Sequence, residues 1–476
     1  MIFNSLQFIF FFLIVTVSYY LLPHRFRWFL LLAASCYFYM AFVPVYILIL
    51  GFTIVIDYWA GILIENEEGK KRKLYLIMSL VANIGVLAVF KYFNFLNQNL
   101  TELLNACSIS NPVPSLKILL PIGLSFHTFQ AMSYTIEVYR GKQKAERHFG
   151  IYALYVMFYP QLVAGPIERP QNILHQFYEE KKFDYSNISQ GLRLILWGFF
   201  KKLVIADRLA IYVNTVYNYP KEHNGNTLIL ATIFFSFQIY CDFSGYSDIA
   251  IGTARIMGFR LMTNFKSPYL SKSISEFWSR WHISLSSWFT DYLYIPLGGN
   301  RVSVPRWYFN LFFVFLISGL WHGANWTFIL WGGLNGLYLI FSILLKKIKW
   351  PFAMSSVGFV RVRFQKITHI AITFLLITFS WIFFRANSSG DAILIIRKMV
   401  AVKGPLFAPE PYMVLYPLLG IAVLLAIEIS DHLNHTNLGL LSHKNVVVRY
   451  STYLFLSVLI LIIGVFDGGQ FIYFQF

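Results

Sequence analysis

A histidine, His322, stands in the stretch Ser318-Gly319-Leu320-Trp321-His322-Gly323-Ala324-Asn325-Trp326, between two strongly apolar runs, Tyr308 to Leu320 and Trp326 to Leu345. Ionisable groups at bilayer depth are costly, and where they occur they mark pathways or reaction centres. An imidazole there could belong to a pathway or a reaction centre. It can equally be hydrogen-bonded in a helix interface or lie at the headgroups. A second histidine, His282, follows Trp281 in another apolar, Trp-rich stretch. Two carboxylates, Asp242 and Asp248, lie inside the long apolar run that holds Ser244 and Tyr246. Gluing helices together and lining a polar tunnel both fit these residues, because buried acids need partners or a wet cavity. Trp281, Trp321 and Asn325 flank the two histidines and complete the set of candidates for catalysis or tunnel lining.

The remaining chemistry-bearing residues point elsewhere. His175, His223, His432, His435 and His443 fall in loops, and His127 between Phe126 and Thr128 reads as a packing residue. No His-x-x-x-His and no cysteine pair occurs, so the sequence implies neither a metal nor a bound cofactor. Cys36, Cys107 and Cys241 are far apart and read as packing residues. There is no Gly-x-Ser-x-Gly elbow and no phosphate-cradling loop, so the chain shows no serine nucleophile of its own.

The elements that position these residues are membrane helices. The 476 residues are 57% hydrophobic, 19% aromatic and only 13% charged, against roughly 25% charged in soluble chains. Many apolar runs approach the roughly 20 residues that span a bilayer. Segments are expected near 2–22, 27–43, 45–64, 74–94, 117–138, 148–165, 190–217, 227–258, 308–320, 324–345, 367–385, 412–430 and 450–466. Lys201, Lys202, Asp207 and Arg208 interrupt the run at 190–217, which predicts a bend or an interfacial stretch there. The first run has no basic residue before it and no cleavage site after it, and is expected to stay as the first membrane helix. The net charge of +17 collects in loops, which excludes nucleic-acid binding in favour of positive-inside topology. His24 to Arg27, Lys70 to Lys73, Arg140 to Arg147 and Lys346 to Lys366 all become cytoplasmic if both termini lie outside.

Two elements depart from simple spans. In residues 271–292, Phe277, Trp281, Leu285 and Trp288 repeat at helical spacing, with Glu276, Arg280 and Ser284 off the stripe. That predicts a helix at the membrane surface or a re-entrant element. From Tyr308 to His322 a helix covers roughly 20–23 Å, short of the roughly 30 Å hydrocarbon core. A break at Gly319 or Gly323 would make a hairpin returning through 324–345, with His322 held inside the membrane.

Together these stretches resemble the membrane-bound O-acyltransferase family, in its bacterial alginate O-acetyltransferase-like branch. The resemblance rests on Gly165-Pro166-Ile167-Glu168-Arg169-Pro170, Tyr240 to Gly252, Ser267-Pro268-Tyr269-Leu270, Phe277 to Ser284, Asp291 to Arg301, and Gly319 to Trp326. It covers most of the chain. It implies an all-α polytopic membrane bundle with re-entrant or interfacial helices around a central tunnel. It also implies one integral-membrane domain over 1–476, with the acyltransferase-like core at about 120–400 and flanking helices at 1–119 and 401–476. His322 matches the family's essential histidine and His282 a second characteristic polar position. The resemblance further implies a cytoplasmic thioester donor, acetyl-CoA, used as a substrate. An extracytoplasmic partner related to serine esterases would complete transfer to an exported polysaccharide. The lipid bilayer, a bacterial inner membrane, is the third partner. A transporter or lipid flippase, or a scaffold for a secretion complex, are the readings from other classes. Transport lacks the matched broken helices of inverted repeats, and a scaffold leaves the buried His and Asp residues unexplained.

Overall fold

The computed structural model describes residues 1–117, 120–163, 165–347, 359–436, 438–466 and 471–472. Regular structure among them is helical, with no strand. The chain forms two compact units, one of Met1–Ile195 with Tyr246–Met262 and one of Leu196–Gly245 with Thr263–Phe476. The first carries α1 (Leu6–Leu21), α2 (His24–Met40), α3 (Ile47–Asn66), α4 (Gly69–Ala106, with a π turn at Ala88–Tyr92), α5 (Leu124–Tyr139) and α6 (Phe149–Met157). Next, α7 (Tyr185–Phe199) runs through a π turn at Phe200–Ala206 into α8 (Asp207–Asn218), and α9 (Gly225–Ile256) follows. The second unit continues with α10 (Ile274–Arg280), α11 (Ile283–Phe289), α12 (Val304–His322) and α13 (Trp326–Lys347). It ends with α14 (Phe359–Arg385), α15 (Ser389–Ala401), α16 (Tyr412–Asn434) and α17 (Val446–Ile463).

The helix starts follow local chemistry. Ser5, Ser273, Ser388 and Asn445 each accept a backbone N–H in the first turn of their helices, which satisfies donors that have no partner inside the helix. Among the described residues eight helices are long and apolar enough to cross a bilayer: Pro44–Asn66, Gly69–Ala106, Gly225–Ile256, Val304–His322, Trp326–Leu345, Gln365–Arg385, Tyr412–Asn434 and Val446–Ile463. Large apolar side chains stay exposed on them, Leu454, Leu461 and Ile462 among others. Such surface suits lipid, since a water-soluble monomer rarely exposes broad apolar patches. The protein is a multi-pass membrane protein.

Three expectations change. The run at 148–165 does not cross, because α6 has nine residues and ends at Phe158, before a four-residue turn that holds Pro160. Ile151 to Phe158 are buried, as in a helix packed on all sides by protein. Within the first unit Arg27 donates to Lys181 O, Tyr178 donates to Glu146, and Gln171 donates to Glu137. The basic turns at 24–27 and 140–147 thus share a side with residues 168–187. The run at 190–217 continues through its charged interruption as a π turn, which buries both Lys201 and Lys202 in protein.

The Trp-rich stretch at 271–292 is two short helices rather than one, and its stripe residues Phe277, Trp281, Leu285 and Trp288 are all buried in protein. Finally, α12 starts at Val304, with Pro305 tolerated in its first turn. Its 19 residues reach about 28 Å, so helix length no longer confines His322 to the middle of the membrane. The hairpin itself is present. A Cβ on Gly319 would fall 2.3 Å from Phe328 O, and one on Gly332 would fall 2.3 Å from Phe315 O, so α12 and α13 touch backbone to backbone there.

Candidate active site

His282 occupies the break between α10 and α11. Its backbone is left-handed, at φ 44°, a region that costs a non-glycine residue about 1–2 kcal/mol. Asn264 holds it there. The Asn264 carbonyl accepts Ile283 N–H at 2.9 Å, and its side-chain oxygen accepts Ser284 N–H at 3.2 Å. Two N–H groups at the start of α11 are thus met from outside the helix, and the break is fixed by a residue 18 positions upstream of His282. The imidazole is 1% exposed and meets Phe243 edge-on at 4.5 Å between ring centroids.

His322 ends α12 and is 4% exposed. Its ring lies among Trp321, Trp331 and Phe384, with centroids at 4.9, 5.1 and 5.3 Å. Trp321 also approaches His282, at 6.3 Å. Both histidines line one cavity of about 420 Å³, within the usual range for small-molecule sites. Its walls include Trp278, Trp281, Phe315 and Leu339, with hydroxyls from Ser279, Ser286, Ser287, Thr290 and Ser318. The structure brings together His282, His322 and Trp281 on the cavity wall, with Trp321 against both imidazoles. A buried imidazole edge on such a cavity can take a proton from a hydroxyl or attack a carbonyl carbon itself.

The other candidates sit apart from the cavity wall. Asp242 accepts from Lys202 Nζ at 2.6 Å and from Ile472 N–H at 2.6 Å, and Lys202 also pairs with Asp207 at 2.8 Å. That is a buried ion triad pinning α9, the π turn before α8 and the 471–472 segment. Phe471 packs on Phe243, the ring that faces His282. Ser244 is buried, Tyr246 donates to Asn4 Oδ1 at 3.0 Å within the first unit, and Asp248 is half-buried. Asn325 uses its side-chain oxygen to accept Thr327 N–H at 3.0 Å, capping α13. Gly323 N–H donates to Gly319 O.

Three buried polar groups escaped the sequence reading. Lys202 appeared only as an interruption of a helix, and its two carboxylate partners are visible only in three dimensions. Asp57 on α3 is fully buried and accepts from Ser79 at 2.6 Å and from Asn83 at 2.8 and 3.0 Å, both on α4. The mere presence of an acid inside an apolar run was the available signal. Glu168 is also fully buried, accepting from Met262 N–H and from the Asn172 amide. Loss of water pushes its carboxyl up to about 7, against the pull of those two donors and of Arg169. Among the described residues no three His, Cys, Asp or Glu side chains gather as a metal site.

Comparison with known proteins completes the picture. The model of the MBOAT, membrane-bound O-acyltransferase family, matches residues 147–389. A probable alginate O-acetylase, AlgI, of Pseudomonas aeruginosa is 40% identical over 391 residues, covering 82% of this chain and 72% of that protein. A peptidoglycan O-acetyltransferase of Helicobacter pylori is 35% identical over 401 residues, covering 79% and 74%. A teichoic acid D-alanyltransferase of Bacillus subtilis is 30% identical over 250 residues, covering 48% and 61%. All three are named for acyl transfer to polymers, with different acyl groups and acceptors.

Proposed function

The chain belongs to the membrane-bound O-acyltransferase family, and from that premise we propose that it passes an acetyl group from a cytoplasmic thioester, acetyl-CoA, across the inner membrane for O-acetylation of an exported or cell-surface polysaccharide. It is an acyltransferase by family; acetyl as the group and a polysaccharide as the acceptor follow the names of the relatives that align over most of the chain. The observation that carries the reading is the pair of buried histidines on one cavity. His322 is the reacting imidazole, and His282 is the second polar group at the site. The acceptor hydroxyl oxygen forms a bond to the acetyl carbonyl carbon, and the thioester C–S bond breaks. The hydroxyl proton ends on the departing thiolate. His322 serves this balance either as the base that moves the proton or as the nitrogen that holds the acetyl between donor and acceptor.

An extracytoplasmic partner of the serine-esterase type completes delivery to the polymer, in keeping with the missing nucleophile elbow in this chain. The termini lie outside the cell membrane. Support comes from the basic turns at 24–27 and 140–147 sharing a side with 168–187, and from the run at 148–165 not crossing. The basic residues that follow α13 in the sequence, Lys346 and Lys347 first, carry the charge signature of a cytoplasmic face.

The test is His322→Ala in cells, read by mass spectrometry of surface glycans and by recovery of folded protein from membranes. The expected result is normal insertion with O-acetylation lost. Undiminished acetylation in that variant defeats the assignment. Membranes given acetyl-labelled coenzyme A should also pass label to polymer, which a transporter would not do.

A further inference from the structure

The motif from Gly165 to Pro170 puts no residue on the wall of the histidine cavity, yet it holds a carboxylate away from solvent. Glu168 is 0% exposed. One of its side-chain oxygens accepts Met262 N–H, and the other accepts the Asn172 amide at 3.3 Å. Its own carbonyl accepts the Tyr155 hydroxyl at 3.2 Å, which fixes the acid in turn. Further along, the Gln176 side chain accepts Arg260 N–H at 2.9 Å and donates to Arg260 O at 2.9 Å. Residues 259–265 form neither helix nor strand, so their backbone groups need partners from elsewhere. Here two side chains supply them, gripping alternate residues of the segment. Just beyond Met262 stands Asn264, which takes Ile283 N–H on its carbonyl and Ser284 N–H on its side chain and so holds His282 left-handed. Lys266 N–H donates to Arg280 O on the other side of the break.

We propose that Glu168 is a positioning residue for acyl transfer, fixing the segment from which Asn264 holds His282. The inference rests on the acyl-transfer reading of the two-histidine site. A left-handed backbone at a non-glycine residue lasts only where its surroundings over-determine it, and Asn264 can impose one only from a fixed place. Two residues of chain span at most about 7 Å, so a bond at Met262 leaves Asn264 little room to move. The two units divide between Met262 and Thr263, and the anchors act through the peptide chain itself. The role asks of Glu168 an acceptor oxygen facing Met262 N–H, with no proton moved.

The experiment uses full-length protein in membranes of the producing cells, supplied with acetyl-labelled coenzyme A over a range of concentrations. Label in envelope polymer is counted, so that kcat and the donor KM are read apart. Displacing a reacting group by about 1 Å costs about a hundred-fold in rate. Glu168→Ala should therefore lower kcat about 10- to 100-fold with the donor KM unchanged. Glu168→Gln keeps an oxygen for Met262 N–H and should retain most of the rate. Asp57→Ala is the control for lost stability, because it strands Ser79 and Asn83 elsewhere in the first unit; its Tm should fall and its kcat should not. If Glu168→Ala is not recovered from membranes, Gln176→Leu removes the second anchor and should lower kcat in the same way. Undiminished kcat in folded Glu168→Ala, or in Gln176→Leu in its place, overturns the role. An equal loss of kcat in Asp57→Ala overturns it too, by making stability the cause. So does full transfer by His282→Ala, since the group being positioned would be dispensable. In these three cases acyl transfer by the wild type still stands. Absence of acetyl transfer in the wild type removes the functional reading and the positioning role with it.

Discussion

At the scale of single residues, the charged groups divide by what they are near. His282 and His322 face a cavity, whereas Asp242 faces Lys202. Removing one partner of a buried ion pair costs roughly 3–5 kcal/mol, because the remaining charge is left without compensation. Lys202→Met removes the ammonium that pairs with both Asp207 and Asp242, whereas Asp242→Asn leaves Lys202 its pair with Asp207. Thermal unfolding in detergent should thus show a large fall in Tm for the first and a small one for the second. Equal falls would mean that Lys202 does not bridge both acids. Glu168 gives a pH signature of its own. Its carboxyl titrates near 4.5 when unfolded and near 7 when folded. Between those values the folded chain binds more protons, so its stability declines as pH rises from about 5 to about 7 and then levels. Tm recorded at pH 5 and pH 7.5 should drop in the wild type, and Glu168→Gln should flatten that slope.

At the scale of elements, the sequence located the helices well where the bilayer alone decides them. The runs at 45–64, 412–430 and 450–466 became Ile47–Asn66, Tyr412–Asn434 and Val446–Ile463, because twenty apolar residues have few other options in lipid. It failed where protein replaces lipid as the surroundings. The stripe from Phe277 to Trp288 has helical period and still breaks at His282, since the deciding hydrogen bonds come from Asn264, which no local pattern reveals. The run at 148–165 carries the composition of a span, yet Phe158 and the turn with Pro160 end its helix after nine residues. Asn264→Ala offers a direct check on the break. It removes the side-chain acceptor of Ser284 N–H, and a buried donor left unmatched costs about 1–3 kcal/mol. Tm should fall by the equivalent amount and acyl transfer should drop with it, as His282 loses its fixed backbone. A variant with lower Tm and full activity would show that the break serves stability alone.

At the scale of the whole molecule, function was legible through motifs and hardly at all through periodicity. His322 and His282 were visible as ionisable residues in apolar stretches 40 positions apart, and only folding shows that one cavity serves both. The aromatic walls were visible as composition, since 19% of the chain is Phe, Trp or Tyr, but not as a shape. Those walls have a further consequence for an enzyme that moves acyl groups onto hydroxyls. Water is the commonest hydroxyl in any cell, and every donor molecule it reaches at the catalytic centre is wasted as free acid. A site that excludes it suppresses that side reaction without having to distinguish one oxygen from another. With His322 at 4% exposure and Trp331, Trp381 and Phe384 at 1%, these rings shield the imidazole from solvent on their side and leave it the cavity as its open face.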